Sequence, residues 1–255
     1  MRSDLPVRVT RLAMLIDADN ASANLIEELL QEVAKYGTAY VKRIYGDWTN
    51  TRLNRWKEKL NRFAIQPMQQ FAYTTGKNST DSALIIDAMD LLYTQNFDGF
   101  CIVSSDSDFT RLASRIRESG LIVYGFGERK TPEPFIKACD KFIYTEILGQ
   151  LEETSELNPA TSEKPAETPS QNPKDNAQKL RANKDLIKLL NDAYEAISDE
   201  DEWMHLGAFG SQLTKLSSSF DSRNYSYKKL SDLIQATGIF EVKKDSKIIY
   251  IKLKS

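Results

Sequence analysis

Histidine, cysteine and long apolar runs are all scarce in this sequence, and each scarcity excludes a class of protein. The 255 residues include a single histidine, so a catalytic triad or a histidine acid–base pair has almost nothing to use. The two cysteines, Cys101 and Cys139, lack metal-ligand spacing and are typical of reduced core residues. No apolar run is long enough for a membrane span or a signal peptide. We therefore expect a soluble cytoplasmic protein whose catalysis, if any, depends on carboxylates.

The sequence also has no large excess of charge of one sign, because its formal net charge is −2. This balance excludes a histone-like binder that depends on bulk charge, but it leaves room for a local basic patch. One stretch, residues 150–178, is rich in Pro, Glu, Ser and Thr and nearly free of large apolar residues. Such a stretch buries too little apolar surface to offset the entropy lost on ordering the chain. Its composition therefore predicts a flexible linker between a domain at 1–149 and a domain at 179–255.

The first domain alternates apolar runs with amphipathic stretches, which predicts an α/β fold with a doubly wound parallel sheet. The expected strands are 11–18, 38–46, 63–71, 99–105, 121–127 and 141–147. The expected helices are 22–36, 51–62, 80–94, 108–119 and 132–138. Ser22 is expected to cap the first helix, and Gly37 to end it in the left-handed conformation.

The second domain has a different pattern, with helices expected at 181–197, 206–217 and 226–237. Residues 239–253 are expected to form a hairpin that turns at Lys244–Ser246. Three helices and a two-stranded wing predict a small α+β winged-helix domain.

Acidic residues follow two apolar strands of the first domain. Asp17 and Asp19 end the segment MLIDADN, and Asp106 and Asp108 follow CIVSS. With a strand order of 3-2-1-4-5, these two strands are neighbours at the point where the order reverses, and ligands bind there in open α/β sheets. Asp81, at the start of the helix TDSALIIDAMDLL, is expected at the same edge. The sequence therefore predicts one crevice lined by several acids.

Carboxylates that crowd together repel each other, and a divalent cation relieves this repulsion. Oxygen ligands around an open site suit Mg²⁺ or Mn²⁺, which support hydrolysis of phosphodiesters without histidine. The candidate metal ligands and catalytic residues are Asp17, Asp81, Asp106 and Asp108. The alternative is that Asp19, Asp81 and Asp108 are helix caps. Supporting roles are predicted for Asn20, which can orient Asp17, for Asp87 behind the site, and for Lys77 as a phosphate contact.

In the second domain, lysines and aromatic side chains lie close together in sequence around the third helix. Such a combination suits phosphates and unstacked bases of RNA, although an ordinary solvated helix face has the same composition. The candidate RNA-binding residues are Lys215, Arg223, Tyr227, Lys228 and Lys229.

Three other functions fit parts of this pattern. A receiver domain needs an aspartate at the end of the third strand, where this chain has MQQF. A haloacid-dehalogenase-type phosphatase shares the D-x-D of IDADN, but it expects Thr or Val where Ala21 stands, and it has no use for Asp81. A non-catalytic RNA-binding or scaffold protein would need the same acids as a nuclease, so the sequence leaves that alternative open.

The segments MLIDADNAS, GKNSTDSALIIDAMDLL and GFCIVSSDSDFTRLASRIRESGLIVYGFG resemble the motif blocks of the NYN domain, a PIN-like nuclease family. The resemblance covers about residues 10–148. It implies a PIN-like fold, with Asp17, Asp81 and Asp106 as the metal centre, Asp108 as a fourth member and Asn20 as an orienting residue. It further implies RNA cleavage with Mg²⁺ or Mn²⁺.

The segment from LGAFGSQL to IIYIKL is similar to the LOTUS, or OST-HTH, domain, over about residues 183–254. That resemblance implies a winged helix that binds RNA or a protein partner. Together, the sequence and the two resemblances predict a metal-dependent endoribonuclease with an RNA- or partner-binding module, and its oligomeric state is left open.

Overall fold

The structure is a computed structural model that describes residues 9–71, 79–149, 179–198, 203–246 and 248–254. The chain divides into two compact units, Met1–Leu151 and Glu152–Ser255. The stretch 150–178, interpreted from its composition as a linker, lies outside the described residues. The domain limits at 149 and 179 therefore stay predictions. In the described part of the chain, no helix is long and apolar enough to cross a membrane.

The first unit is built on parallel strands. They are β1 (Arg11–Asp17), β2 (Thr38–Gly46), β3 (Gln66–Gln69), β4 (Gly99–Val103), β5 (Ile122–Gly127) and β6 (Lys141–Tyr144). They pair in the order β3-β2-β1-β4-β5-β6, with every pair parallel. The order reverses between β1 and β4, so the predicted doubly wound α/β fold is confirmed.

Helices cover both faces of this sheet. They are α1 (Ile26–Val33), α2 (Asn54–Arg62), α3 (Ser79–Tyr93), α4 (Thr110–Glu118), α5 (Glu133–Ala138) and α6 (Glu146–Gly149). Short 3₁₀ turns at Ala23–Leu25, Thr51–Leu53 and Ser107–Phe109 lead into α1, α2 and α4. The Ser22 hydroxyl caps the first of these turns, as predicted, by accepting from the backbone N–H of Asn24.

The apolar run of β1 exists because both faces of the strand are buried. Leu12, Met14 and Ile16 pack with α1, α2 and α6 on one side of the sheet. Ala13 and Leu15 pack with α3, α4 and α5 on the other side. Since successive strand residues point to opposite faces, a strand covered on both sides must be apolar at every position.

Some predicted boundaries differ from the structure. Gly37 was expected in the left-handed region, but the described glycines with positive φ are Gly120 and Gly238. Gly37 is instead required by close approach, because an added Cβ would lie 2.6 Å from the carbonyl oxygen of Thr10. β3 starts later than predicted because Ala64, with a φ of 50°, turns the chain just before it. The last predicted strand is shorter as well, because its final residues enter α6.

The second unit contains three helices of the predicted winged helix and a small antiparallel sheet. The helices are α7 (Lys184–Glu195), α8 (Leu206–Leu216) and α9 (Leu230–Thr237). The strands are β7 (Met204–His205), β8 (Phe240–Asp245) and β9 (Ile248–Leu253), in the order β7-β9-β8. Buried residues such as Phe209, Leu233 and Ile251 join the helices and the sheet in one core.

Two details of the second unit correct the predictions. The third helix begins at Leu230 rather than 226, because Ser226 is left-handed, with a φ of 68°, and ends a 3₁₀ turn at Ser222–Tyr225. The wing has a third strand, since Met204 pairs with Ile251. The hairpin also turns later than predicted, because Asp245 still pairs with Ile248.

Candidate metal centre

The carboxyl ends of β1 and β4 lie side by side, because Ile16 of β1 pairs with Val103 of β4. β1 ends at Asp17, and the chain that leaves β4 passes through Ser104 and Ser105 before Asp106. The predicted neighbourhood of these two strand ends is therefore present in the structure, at the reversal of strand order where open α/β sheets bind ligands.

Asp17 is buried, with 1% of its surface exposed. Its Oδ2 accepts hydrogen bonds from Asn20 Nδ2 at 2.7 Å and from Ser104 Oγ at 2.8 Å. Its Oδ1 accepts from the backbone N–H of Asp19 at 3.0 Å. Burial raises the pKa of Asp17, while these hydrogen bonds act in the opposite direction by stabilising the charged form. The carboxylate is thus held in one orientation, and Asn20 makes the contact that the sequence predicted.

Ser104 connects the two strand ends. Besides donating to Asp17, its Oγ accepts a hydrogen bond from the backbone N–H of Asp106 at 3.1 Å. Asp106 in turn caps the following 3₁₀ turn, because its Oδ1 accepts from the backbone N–H of Asp108 at 2.9 Å. The capping role considered for Asp108 therefore belongs to Asp106. This cap leaves Asp108 exposed in the first turn of the helix.

Three carboxylates converge at this edge of the sheet. Asp81, Asp106 and Asp108 each offer one oxygen, and these oxygens all lie within 4.8 Å of one another. Asp81 comes from the first turn of α3, a different segment from the other two. Asp17 stands outside this tight group, although its charge acts on Asp81. Of the four predicted metal ligands, the structure thus brings three together and places the fourth, hydrogen-bonded and buried, beside them.

The electrostatics of Asp81 reflect this crowding. Burial and then the charges of Asp17, Asp106 and Asp108 raise the pKa of Asp81 from 3.8 to about 6. Two unit charges about 4 Å apart repel by roughly 4 kcal/mol at an effective dielectric constant near 20. A carboxyl group in such surroundings keeps its proton to a higher pH than an ordinary aspartate, and a bound cation would favour its charged form.

The donor set suits a hard divalent cation. All ligand candidates are carboxylate oxygens, and the described residues bring no histidine or cysteine to the group. Mg²⁺ and Mn²⁺ prefer oxygen ligands and are commonly bound through a few carboxylates with water at the remaining positions. Asp81, Asp106 and Asp108 therefore fit the cation that the sequence predicted.

Asp87 takes part in a different group of side chains. It forms an ion pair with Arg43 and accepts a hydrogen bond from the Tyr45 hydroxyl. Burial, followed by the hydrogen bond and charge of Asp87, raises the pKa of Tyr45. Tyr45 pairs with Asp17 across β1 and β2, so this group lies one strand away from the acidic centre. Asp87 thus joins α3 to β2 and borders a cavity of about 480 Å³.

The remaining predicted residues differ in what surrounds them. Lys77 lies outside the described residues. Of the residues predicted to bind RNA in the second unit, Lys215, Lys228 and Lys229 are exposed. Arg223 instead binds Asp221 through Nε at 2.9 Å and Nη2 at 2.7 Å, and Tyr227 packs against the core.

Sequence reasoning missed two sets of residues. Ser104 has no role in the sequence-based prediction, although a serine that follows a buried strand can donate to a neighbouring acid and accept from the backbone N–H two residues on. Arg43 and Tyr45 were assigned only to a strand. Their spacing of two residues, which places both side chains on one face of β2, was the available signal.

Comparison with known families agrees with this fold. The NYN domain family model matches residues 11–151, more than half of the chain. The chain therefore belongs to the NYN domain family, whose members are PIN-like nucleases that generally use divalent metal ions. This membership favours the nuclease interpretation over the phosphatase alternative.

A second family model, the OST-HTH/LOTUS domain, matches residues 181–251, and domains of this kind bind RNA. Among solved structures, the chain is similar to a Vibrio parahaemolyticus protein of unknown function. That match has 20% identity and a TM-score of 0.46, and it covers 56% of this chain and 94% of the other. No curated protein matches the chain.

Proposed function

We propose that this protein is a metal-dependent endoribonuclease. The observation that carries the proposal is the convergence of Asp81, Asp106 and Asp108 within 4.8 Å in a chain of the NYN family. Support for internal cleavage comes from the exposure of Asp108, which places the group at an open edge of the sheet. A strand of RNA can cross such an edge without threading an end through a tunnel.

The roles of the acids follow from their surroundings. Asp81, Asp106 and Asp108 would hold Mg²⁺ or Mn²⁺. Such a cation, when bound, lowers the pKa of water and stabilises charge that develops on the phosphodiester. Asp17 contributes a buried negative charge next to Asp81, and its hydrogen bonds from Asn20 and Ser104 keep that charge fixed. Preorganised charges of this kind cost no reorganisation during reaction.

The second unit would deliver RNA to the first. Its OST-HTH match and its exposed Lys215, Lys228 and Lys229 support phosphate contacts there. We assign no phosphate contact to Arg223, because its Nε and Nη2 groups already bind Asp221. A protein partner on the same surface is the other outcome that binding experiments with the whole chain would detect.

A circular single-stranded RNA tests the proposal, because only an endonuclease converts it to a linear product. We expect cleavage by the full chain with Mg²⁺ or Mn²⁺, no cleavage with EDTA, and a loss of at least about a hundredfold in Asp106→Asn. Asparagine caps helices as well as aspartate does, so this substitution removes the charge and keeps the turn. Asp90→Asn, at an exposed position of α3, is the matched control and should retain activity.

Undiminished cleavage by Asp106→Asn would overturn the assigned roles. If the wild type binds RNA and Mn²⁺ but leaves the circle intact, the protein is the non-catalytic RNA-binding alternative.

A further inference from the structure

A polar cavity of about 220 Å³ lies beside the acidic centre, between the starts of α1 and α2. Its lining includes Asp19 and Asn24 on one side and Arg52 and Arg55 on the other. Asp19 also ties the cavity to the acidic centre, since its backbone N–H donates to Asp17. The cavity therefore places the side chains of Arg52 and Arg55 across from Asp19, two residues from Asp17.

Of the two arginines of this cavity, Arg52 lies in the turn before α2, and Arg55 begins a basic strip on α2. The segment 51–62 carries one acid, Glu58, and five cations, Arg52, Arg55, Lys57, Lys59 and Arg62. Spacings of three and four residues place Arg55, Lys59 and Arg62 along one side of the helix. Among the described residues, no carboxylate lies within 4.0 Å of the Arg52 or Arg55 guanidinium, whereas Arg62 pairs with Glu27 at 3.3 Å. Two guanidinium groups are thus available to an anion.

A second cavity, of about 300 Å³, adjoins the first and shares Ala21, Ser22 and Trp56 with it. Most of its lining is apolar, with Leu25, Leu29, Val103 and Phe126 among its walls. Asn20, which holds Asp17, also lines it. A cavity with two arginines in its lining thus adjoins a mostly apolar one, and both are lined by residues that closely follow Asp17 in the chain.

We propose that these two cavities form a nucleotide subsite for single-stranded RNA next to the point of cleavage. A phosphodiester group would bind Arg52 and Arg55, and the base of the same nucleotide would enter the apolar cavity. Guanidinium groups bind phosphate through paired N–H donors, and a flat base with a polar edge suits a mostly apolar pocket. The strand would then continue along the basic strip of α2.

This subsite also solves an electrostatic problem. An acidic centre repels the phosphates that flank the scissile one, so a nuclease of this kind needs positive charge close by to hold the strand. Arg52 and Arg55 provide that charge. The inference rests on the proposed function for its substrate, but its tests separate the two.

The first test measures cleavage of a labelled single-stranded RNA by the full chain at several salt concentrations. We expect Arg52→Gln/Arg55→Gln to lower kcat/KM about tenfold, mainly through KM. The slope of log kcat/KM against log salt should fall by about 1.4, for two lost phosphate contacts at about 0.7 each. The control Lys57→Gln/Lys137→Gln removes the same formal charge and should behave as wild type.

The control positions are chosen by structure. Lys57 lies two residues from Arg55, about 200° around the helix and away from the strip. Lys137 lies in the last turn of α5, where it pairs with Glu133 at 2.8 Å. The base pocket is tested separately, because an abasic nucleotide at one position beside the cleaved bond should slow the wild type about tenfold.

The second test needs no activity. RNA carrying 4-thiouridine is photocrosslinked to the full chain in Ca²⁺, and crosslinked peptides are mapped by mass spectrometry. We expect crosslinks in 51–62 that disappear in Arg52→Gln/Arg55→Gln and persist in the control. If the wild type cleaves RNA and the double variant has the same kcat/KM and the same salt slope, the subsite is overturned. The proposed nuclease function is then unaffected.

If the wild type does not cleave RNA, the proposed function has failed, and the crosslinks alone then decide whether RNA occupies this surface. Absence of crosslinks in 51–62 overturns the inference in that case as well. If no abasic position slows cleavage, the base does not enter the apolar cavity.

Discussion

Ser104 Oγ donates a hydrogen bond of 2.8 Å to Asp17 Oδ2, and this contact joins residues 87 positions apart in the chain. The same hydroxyl accepts from the backbone N–H of Asp106, so one small side chain fixes both strand ends of the acidic centre. Because the hydroxyl is buried, its loss leaves Asp17 with one donor fewer and no water to replace it.

Ser104→Ala is therefore expected to lower the free energy of unfolding by about 1–2 kcal/mol and to lower kcat for RNA cleavage about tenfold. Thermal unfolding and single-turnover cleavage measure the two effects. Ser107→Ala, at an exposed position of the following turn, is the control and should change neither. An alanine variant at Ser104 with wild-type activity would show that this connection has no role in catalysis.

The raised pKa of Asp81 makes the stability of the metal-free protein depend on pH. Its pKa is about 6 in the folded chain against 3.8 ordinarily, so the folded state holds its proton more tightly. That contribution to stability is fully present below about pH 4 and is lost as pH rises through about 6. Because Asp81 is only partly buried, solvent screens this repulsion, and we expect the effect on the free energy of unfolding to be about 1 kcal/mol.

In EDTA, Asp81→Asn should therefore unfold at a higher temperature than wild type at pH 7, by about 2–4 °C, with the difference shrinking toward pH 4. Addition of Mn²⁺ should stabilise wild type more than the variant. A difference that grows as pH falls would contradict the assigned direction of the shift.

Asp87 is expected to contribute to the stability of the folded chain but little to its affinity for metal ions. Asp87→Ala leaves Arg43 without its ion-pair partner and Tyr45 without its acceptor, so the free energy of unfolding should fall by about 2 kcal/mol. Chemical denaturation measures this loss, and Asp90→Ala on the exposed side of the same helix is the control. Mn²⁺ affinity should be unchanged, and a large loss of affinity would assign Asp87 to the metal centre after all.

In the second unit, exposed lysines and the paired arginine should respond differently to substitution. Lys228→Gln/Lys229→Gln is expected to weaken RNA binding and to lower the salt slope by about 1.4 without changing stability. Arg223→Gln breaks a half-buried ion pair and should lower stability. Fluorescence anisotropy with labelled RNA and thermal unfolding separate these effects. Equal losses of RNA affinity in both variants would show that Arg223 also binds RNA.

The sequence predicted the fold of the first unit well because its signals are local. The alternation of apolar strands with amphipathic helices predicted a parallel sheet. The rule that ligands bind where strand order reverses predicted a site at the ends of β1 and β4. The error at Gly37 arose because a helix-ending glycine and a glycine needed for close approach look alike in sequence. The third helix was misplaced for a similar reason, since the left-handed turn at Ser226 uses a residue with no strong turn preference.

The candidate site was predictable in its residue types and less so in its arrangement. Carboxylates at the ends of β1 and β4 follow from the sequence pattern, but the separation of buried Asp17 from Asp81, Asp106 and Asp108 depends on side-chain hydrogen bonds. The Arg43–Asp87 pair spans 44 positions, so no local pattern could have paired these residues. Contacts of this kind depend on how strands and helices pack, and that packing is fixed only in three dimensions.

The central claim is that Asp81, Asp106 and Asp108 together bind a divalent cation. Mn²⁺ binding by the full chain, followed by electron paramagnetic resonance at pH 7, tests it directly and without any substrate. We expect saturable binding to wild type and to Asp90→Asn, with affinity reduced at least tenfold in Asp106→Asn. Equal Mn²⁺ binding by wild type and Asp106→Asn would contradict the claim.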